Sequence, residues 1–374
     1  MHYDFCTLFD RDYLFKGLAL LESLERSIQG AFTLYVLCMD DTVYDVMRSM
    51  RLPQVQLIAL ADFEDEELLT AKATRSRAEY CWTCTPSLPL YLLDRVPGIT
   101  AVTYLDADLW FFDDPAPIFA EMGGGSVGII EHRYSSEFES LTKDYGIYNV
   151  EYVVFRNDER ARACLVWWRE RCNEWCYDRV EDGRFGDQKY LDDWPERFEG
   201  VVVLRTTGAG LAPWNLRSHS FTEARGRLSV DGQPMIFFHY HSFTIGRDGR
   251  RYRPCHAAYG VKRRRYRLLY RPYWSSLKRA MGRTRQVEPG YAYGISSQSL
   301  DPLSTRLVPW ARWARSRAGL CIRQIRRAAL SKWGSLRISE TVVPSAAMPK
   351  TPVDDVESQG ADSCDGVAER READ

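Results

Sequence analysis

The chain has 374 residues, of which 45% are hydrophobic, 27% charged and 13% aromatic, and its formal net charge is −1. This composition excludes collagen-like, wholly disordered and disulfide-knotted proteins, and the length suits one large or two ordinary domains. The small net charge hides an asymmetry: residues 1–246 hold 24 Lys and Arg against 39 Asp and Glu, residues 247–338 hold 23 against 3, and residues 339–374 hold 3 against 9. An acidic body followed by a basic segment predicts that the segment meets an anionic surface, either nucleic acid or anionic lipid. No apolar run approaches the roughly 20 residues that span a bilayer. The stretch Met1–Thr7 lacks the basic and apolar regions of a signal peptide. The ten cysteines therefore read as reduced thiols in a cytoplasm-like compartment.

In chain order, residues 3–10 (YDFCTLFD) predict a strand, and Leu14, Leu18, Leu21, Leu24 and Ile28 recur at helical spacing. Strands follow over 32–38, 55–60 and 100–105, with helices over 42–50, 64–74 and 85–93 between them. This alternation predicts an α/β domain with a mostly parallel sheet. Further strands are expected over 126–130, 152–156, 201–204 and 235–241, with a long Trp-containing helix over 160–177. The expected organisation is an α/β domain over 1–246, a basic helical extension over 247–338 and a disordered acidic tail over 339–374.

The strand 100–105 stops at Asp106, and the sequence continues Ala107-Asp108-Leu109. Two carboxylates at i and i+2, just past a buried strand, sit at the sheet edge where open α/β folds bind ligands. Carboxylates so spaced can share a hard divalent cation with open positions, Mn2+ or Mg2+, and such a cation bridges a diphosphate. His239 and His241, two apart on an expected strand, point to one face, and one neutral imidazole is a candidate third ligand.

The run YLDADLWFFDDP, at residues 104–115, resembles the Asp-x-Asp segment of nucleotide-sugar-dependent glycosyltransferases of the GT-A fold. Four other segments agree in order: TLFDRDYLFKGLALLESL from Thr7, Tyr148-Asn149-Val150, FGDQKYLDDWP from Phe185 and FFHYHSF from Phe237, the third of these being similar to the Asp-Gln loop of the family 8 type. The resemblance covers residues 3–245 and implies a single GT-A-like (Rossmann-like) domain. It implies a metal-dependent, retaining transfer of a hexose from a nucleotide diphosphate sugar, UDP-linked, to a hydroxyl acceptor, with a saccharide or a lipid-linked molecule as that acceptor.

Residue by residue, the resemblance implies that Thr7, Phe9, Asp10, Tyr13, Arg77 and Tyr80 meet the donor, with Asp10 on a pyrimidine base and Tyr13 stacked nearby. Asp106 and Asp108 meet both the donor and the metal, His239 or His241 completes the metal site, and Asp187 and Gln188 face the anomeric carbon. Tyr148 and Asn149 lie in a loop facing sugar and acceptor, and Trp214 and Asn215 offer an aromatic face to a sugar ring. As simpler alternatives, Asp10 caps the first helix and Asp187 caps the one after it. The sequence departs from the family at Ser87, where a second Arg is common, and at Glu151, where residues tend to be small.

Cys81-Trp82-Thr83-Cys84 has no second pair at finger spacing, so buried thiols are the better reading than zinc. No Gly-x-Gly-x-x-Gly, Walker or Gly-x-Ser-x-Gly motif occurs. In the basic segment, Trp310, Trp313, Ala314, Ala318, Cys321, Ile322, Ile325, Ala329 and Trp333 recur at near-helical spacing among arginines. This pattern predicts an interfacial helix over 307–338 within a basic segment, 262–338, that meets an anionic membrane surface, with the protein cytoplasmic and peripheral and nucleic acid the weaker partner. Two other functions stay open: a sugar-1-phosphate nucleotidyltransferase, which needs a Gly-rich loop after the first strand, and a non-catalytic nucleotide-sugar-binding scaffold.

Overall fold

In the computed structural model, residues 2–262, 264 and 266–297 are described, all within one compact unit. The acidic tail and the Trp and Ile stripe of residues 310–333 lie outside the described residues. In chain order the regular elements are β1 (His2–Phe9), α1 (Leu14–Ser27), β2 (Ala31–Cys38), α2 (Asp41–Met50), β3 (Val55–Ala59), α3 (Leu60–Phe63), α4 (Glu66–Lys72), α5 (Arg77–Cys84) and α6 (Ser87–Arg95). They continue with β4 (Ala101–Leu105), β5 (Leu109–Phe111), α7 (Ala116–Met122), β6 (Val127–Glu131), α8 (Leu141–Tyr145), β7 (Tyr148–Arg156), α9 (Glu159–Glu174), α10 (Trp194–Arg197) and β8 (Val201–Leu204). Short strands β9 (Phe221–Ala224), β10 (Arg227–Val230), β11 (Gln233–Pro234), β12 (Phe237–His239), β13 (Thr244–Ile245) and β14 (Tyr252–Arg253) precede α11 (Arg267–Val287).

The fold is mixed α/β with a seven-stranded central sheet in the order β3-β2-β1-β4-β7-β6-β8. All its strands run the same way except β7, which is antiparallel to both neighbours. Side chains of β1 alternate as the pleat requires: Tyr3 and Phe5 join α1 and α11 on one face, while Cys6 and Leu8 join α6 and α9 on the other. Helix starts follow local chemistry. Asp40, Asp65 and Asp158 each accept a backbone N–H at the start of α2, α4 and α9, and Ser76 with Glu79 forms a capping box on α5. Replacing Asp158 with Ala removes the bond from the Ala161 N–H and should cost about 1 kcal/mol in chemical denaturation.

Several sequence expectations change in detail. Tyr148 and Asn149 do not lie in a loop; they begin β7, because their backbone pairs with Glu131 and Ile130 of β6. Arg77 and Tyr80 lie in their own helix, α5. The late strand is shorter than 235–241: β12 ends at His239, and the chain turns at Ser242, whose φ is 59°. His241 therefore lies beyond the strand that carries His239.

Helix α11 packs along α1, where Ser276 donates to Glu22 at 2.7 Å and Arg279 pairs with the same carboxylate. Tyr273 of α11 stacks on Tyr240 with ring centroids 3.8 Å apart. Beyond it the chain crosses the β1–α1 turn. The Tyr291 hydroxyl donates to the Arg11 carbonyl at 2.6 Å and the Gly294 N–H to Asp12 Oδ1 at 3.2 Å. Gly294 sits at φ +71°, and a Cβ there would lie 2.6 Å from the Asp12 carbonyl oxygen, so this crossing requires glycine. Among the described residues, no helix is long and apolar enough to cross a membrane.

Candidate active site

Two strand pairings build the centre. Where β4 ends, the Asp106 N–H donates to the Glu151 carbonyl at 2.9 Å, extending the β4–β7 ladder by one residue. Three residues later, β5 begins and pairs with β12, setting Leu109 opposite His239, and the Tyr240 N–H donates to the Asp108 carbonyl at 2.9 Å. The His239 ring therefore lies among three carboxylates. Its Nε2 is 3.0 Å from Asp108 Oδ1 and 3.6 Å from Asp106 Oδ2, and its Nδ1 is 2.7 Å from Glu151 Oε2. Ligand atoms of Asp106, Asp108 and His239 lie within 4.8 Å of one another. His241 is outside that cluster, with its ring 5.7 Å from that of His239. Lys16, buried on α1 beneath the Tyr13 ring, places Nζ 3.3 Å from Asp108 Oδ2.

The charges are unevenly balanced. Burial would raise the Asp108 carboxyl, but Lys16 and His239 beside it hold it far below the usual carboxylate range. Burial pushes Asp106 up to about 6, with His239 opposing and the Asp108 and Glu151 carboxylates adding to the rise. Burial and then the Asp106 charge push Asp187 up to about 7, against a hydrogen bond from Thr85. Burial would lower His239, but Asp108 and Glu151 raise it well above the ordinary imidazole value. Burial and the His239 charge lower His241 to about 4. Burial therefore holds the carboxyls of Asp106 and Asp187 well above the ordinary carboxylate range. Two carboxylates plus one imidazole suit a hard or borderline divalent ion with positions left open, so the residues present fit a divalent cation.

The cluster opens into a cleft of about 750 Å3. Phe9, Asp10, Asp12, Tyr13 and Arg77 line it at the end of β1, the β1–α1 turn and α5, and His132, Tyr134, Tyr145, Phe185, Trp214 and Tyr259 line it as well. Asp106, Asp108, Asn149, Asp187, Gln188, His239 and His241 also face this space. Asp10 does not cap α1, whose N-cap is Tyr13 with no side-chain bond; instead its carboxylate accepts from the Asp12 N–H at 2.9 Å and pairs with Arg77, whose Nε lies 2.9 Å away. Asp187 makes no side-chain capping bond either, while Gln188 Nε2 donates to the Tyr145 carbonyl at 2.7 Å. Asn149 Nδ2 meets His132 Nε2 at 2.9 Å.

Four expected residues do not line the cleft. Thr7 is fully buried in β1. The Tyr80 hydroxyl turns away to Glu64 at 2.7 Å. Tyr148 is buried beside Glu131. Asn215 is fully buried, with Nδ2 donating to the Gly210 carbonyl at 2.8 Å and the His132 carbonyl at 3.0 Å, so its amide has no hydrogen left for a sugar. Trp214 does reach the cleft, although its Nε1 donates to the His132 carbonyl at 2.9 Å and the side chain is largely covered.

Sequence reading missed Lys16, His132, Tyr134, Glu151 and Tyr259. The available signals were a lysine inside the apolar run Leu14–Leu21 and a glutamate inside the apolar run Val150–Phe155. The Asp187 loop is tied to the core, since Trp168 Nε1 of α9 donates to the Asp187 carbonyl at 2.9 Å. Trp168→Phe should remove about 1 kcal/mol of support from that loop, beyond the packing lost with the smaller ring. Thermal unfolding and hydrogen exchange at residues 186–189 check this.

Fold and site together define a mixed α/β protein with an Asp-Asp-His cleft at the end of its central strand. The chain belongs to the family of YfnD and YfnF, two uncharacterized proteins of Bacillus subtilis (strain 168). YfnD is 32% identical over 302 residues, covering 80% of this chain and 96% of the relative. YfnF is 36% identical over 248 residues, covering 64% and 82%. Compared with descriptions of known protein families, the chain matches none. It is similar to the solved structures of mouse xyloside xylosyltransferase 1 (TM-score 0.41, 14% identity, 64% of this chain and 97% of that one). It is also similar to the galactosyltransferase LgtC in complex with donor and acceptor sugar analogs (0.41, 16%, 63% and 86%). A third is the glycosyltransferase GlyE of Streptococcus pneumoniae TIGR4 (0.41, 14%, 80% and 66%).

Proposed function

We propose that the protein is a divalent-metal-dependent glycosyltransferase that moves a hexose from a UDP-linked donor to a hydroxyl of a saccharide acceptor, with retention at the anomeric carbon. The observation that carries this reading is the convergence of Asp106, Asp108 and His239 at one point of a cleft that also holds Asp187. Those three residues would hold Mn2+ or Mg2+, and the bound ion would supply positive charge where a diphosphate leaving group becomes negative. Lys16 adds a fixed cation beside Asp108. The Asp10, Tyr13 and Arg77 end suits a nucleoside, because it offers a carboxylate acceptor, an aromatic ring and a guanidinium within one turn of chain and a neighbouring helix. Asp187 and Gln188, which line the same cleft, are the groups assigned to the anomeric centre. The wall of Trp214, Tyr134 and Tyr259 gives a sugar ring apolar faces to lie on.

The nucleotidyltransferase alternative is disfavoured by the β1–α1 turn, which reads Asp10-Arg11-Asp12-Tyr13 and offers no glycine-rich phosphate cradle. The deciding experiment incubates the full chain and Mn2+ with a panel of nucleotide sugars, with and without test saccharides, and reads products by mass spectrometry. Consumption of at least one UDP-sugar is expected. Turnover of a sugar-1-phosphate with a nucleoside triphosphate instead, or tight UDP binding with no donor consumed on any acceptor, would reject the proposal.

A further inference from the structure

The cation cluster has a buried support that none of its three ligand residues provides. Glu151 lies in the middle of β7 with 1% of its surface exposed. Its backbone is pinned on both sides: its carbonyl accepts from the Asp106 N–H at 2.9 Å, and its own N–H donates to Asn149 Oδ1 at 2.7 Å. The carboxylate then reaches His239 Nδ1 at 2.7 Å. The opposite edge of the ring faces Asp108, and Trp214 packs edge-on with centroids 5.5 Å apart and planes at 89°.

An imidazole between carboxylates has a choice of tautomer. Asp106 and Asp108 both face Nε2, and when the ring gives up one of its protons to take an ion they would, left to themselves, keep the remaining proton there. A ring protonated at Nε2 is only a hydrogen-bond donor to Asp108 and has no lone pair for an ion. A buried acceptor on Nδ1 reverses that preference, fixes the ring plane and makes Nε2 more basic.

We propose that Glu151 is a positioning residue that holds the His239 proton on Nδ1 and so turns Nε2 into the third ligand of the divalent cation. This rests on the cation site described above and goes beyond it, because it assigns which ring nitrogen binds and what selects it. Glu151 does not line the cleft, and its carboxylate reaches the cation site through its hydrogen bond with His239.

The test measures Mn2+ affinity, with Mn2+ alone and with Mn2+ plus UDP, by electron paramagnetic resonance of the free ion. It uses the full-length protein and its Glu151→Ala, Glu151→Gln and His239→Ala variants. Glu151→Ala should weaken Mn2+ binding by about 10- to 100-fold. Glu151→Gln, whose amide oxygen can still accept from Nδ1–H, should recover part of that loss. If His239→Ala lowers affinity and Glu151→Ala stays within about twofold of the parent, the positioning role is wrong and the cation site stands. If His239→Ala also binds Mn2+ normally, the cation site itself falls, and the role of Glu151 with it. Nitrogen-15 spectra of the histidine rings in the Mg2+-loaded parent protein decide the matter even if a variant fails to fold. A proton on His239 Nδ1 with Nε2 bare supports the assignment, and a proton on Nε2 overturns it.

Discussion

Asp108→Ala is expected to abolish measurable sugar transfer while leaving the fold intact. The residue is 5% exposed, faces His239 at 3.0 Å and Lys16 at 3.3 Å, and is the most firmly ionised carboxylate of the cluster. Removing it takes one ligand from the cation and leaves Lys16 buried without its carboxylate partner. Loss of one electrostatic contact to a developing anion commonly costs about 10²- to 10³-fold in turnover. Loss of a ligand adds weakened cation binding, so the combined effect should pass the floor of a UDP-release assay. Asp106→Ala should act in the same direction. A variant of Asp108 that retained more than a tenth of the parent rate, on the order of 1 kcal/mol in barrier, would remove the cation from the chemistry.

The second large effect is a stability that falls as pH rises, and that a divalent cation restores. Asp106 is raised to about 6 and Asp187 to about 7, both chiefly by burial. A carboxyl whose folded value is raised favours folding fully below the unfolded value, about 4, and loses that contribution as pH climbs through the folded value. For these two the window runs from about pH 4 to about pH 7. His239, raised well above the ordinary imidazole value, works the same way above about pH 6.5. Asp108 is lowered, so its contribution is lost only in acid below the usual carboxylate range and is constant here. A tenfold difference in proton affinity between folded and unfolded chain is worth about 1.4 kcal/mol, so metal-free protein should lose on the order of a few kcal/mol between about pH 5.5 and about pH 8. Mn2+ competes with the same protons and should raise the unfolding temperature most at the higher pH. Asp187→Asn, which mimics the protonated acid, should make metal-free protein more stable at about pH 8 while reducing turnover. Differential scanning calorimetry across pH checks both, and a midpoint that rises with pH in metal-free protein would contradict the charge balance derived for the cluster.

How far the sequence reached depends on the distance along the chain. The Asp106-Ala107-Asp108 pair was legible because an apolar strand stops there, and the strand end is a local property. The Asp10 turn also follows the end of an apolar strand, whereas the Asp187–Gln188 segment was reached only through its resemblance to the Asp-Gln loop of the family 8 type. The start of helix α5 was overlooked although Ser76 and Glu79 spell a capping box, because its apolar residues lack a clean helical period. Lys16 and Glu151 could not be placed. Each is an isolated charge in an apolar run, and its partner lies 92 or 88 residues away, brought near only by strand register. Asn215 was misjudged for the converse reason: a polar residue beside a Trp in a turn looks accessible until the carbonyls of Gly210 and His132 are seen to hold it.

The crossing of residues 291–294 over the β1–α1 turn bears on how the protein is made. Residues separated by 280 positions close on one turn, the one that carries Asp10 and Asp12. Emerging from a ribosome, the first strands can pair early, since their partners are close in sequence. The β1–α1 side of the cleft cannot be finished until α11 and the seven residues after it have been synthesised and laid down. A nascent fragment ending at residue 246 would hold the acidic cluster but leave Tyr240 and the Arg11 carbonyl uncovered, so the turn proposed to meet the donor is braced only late in synthesis.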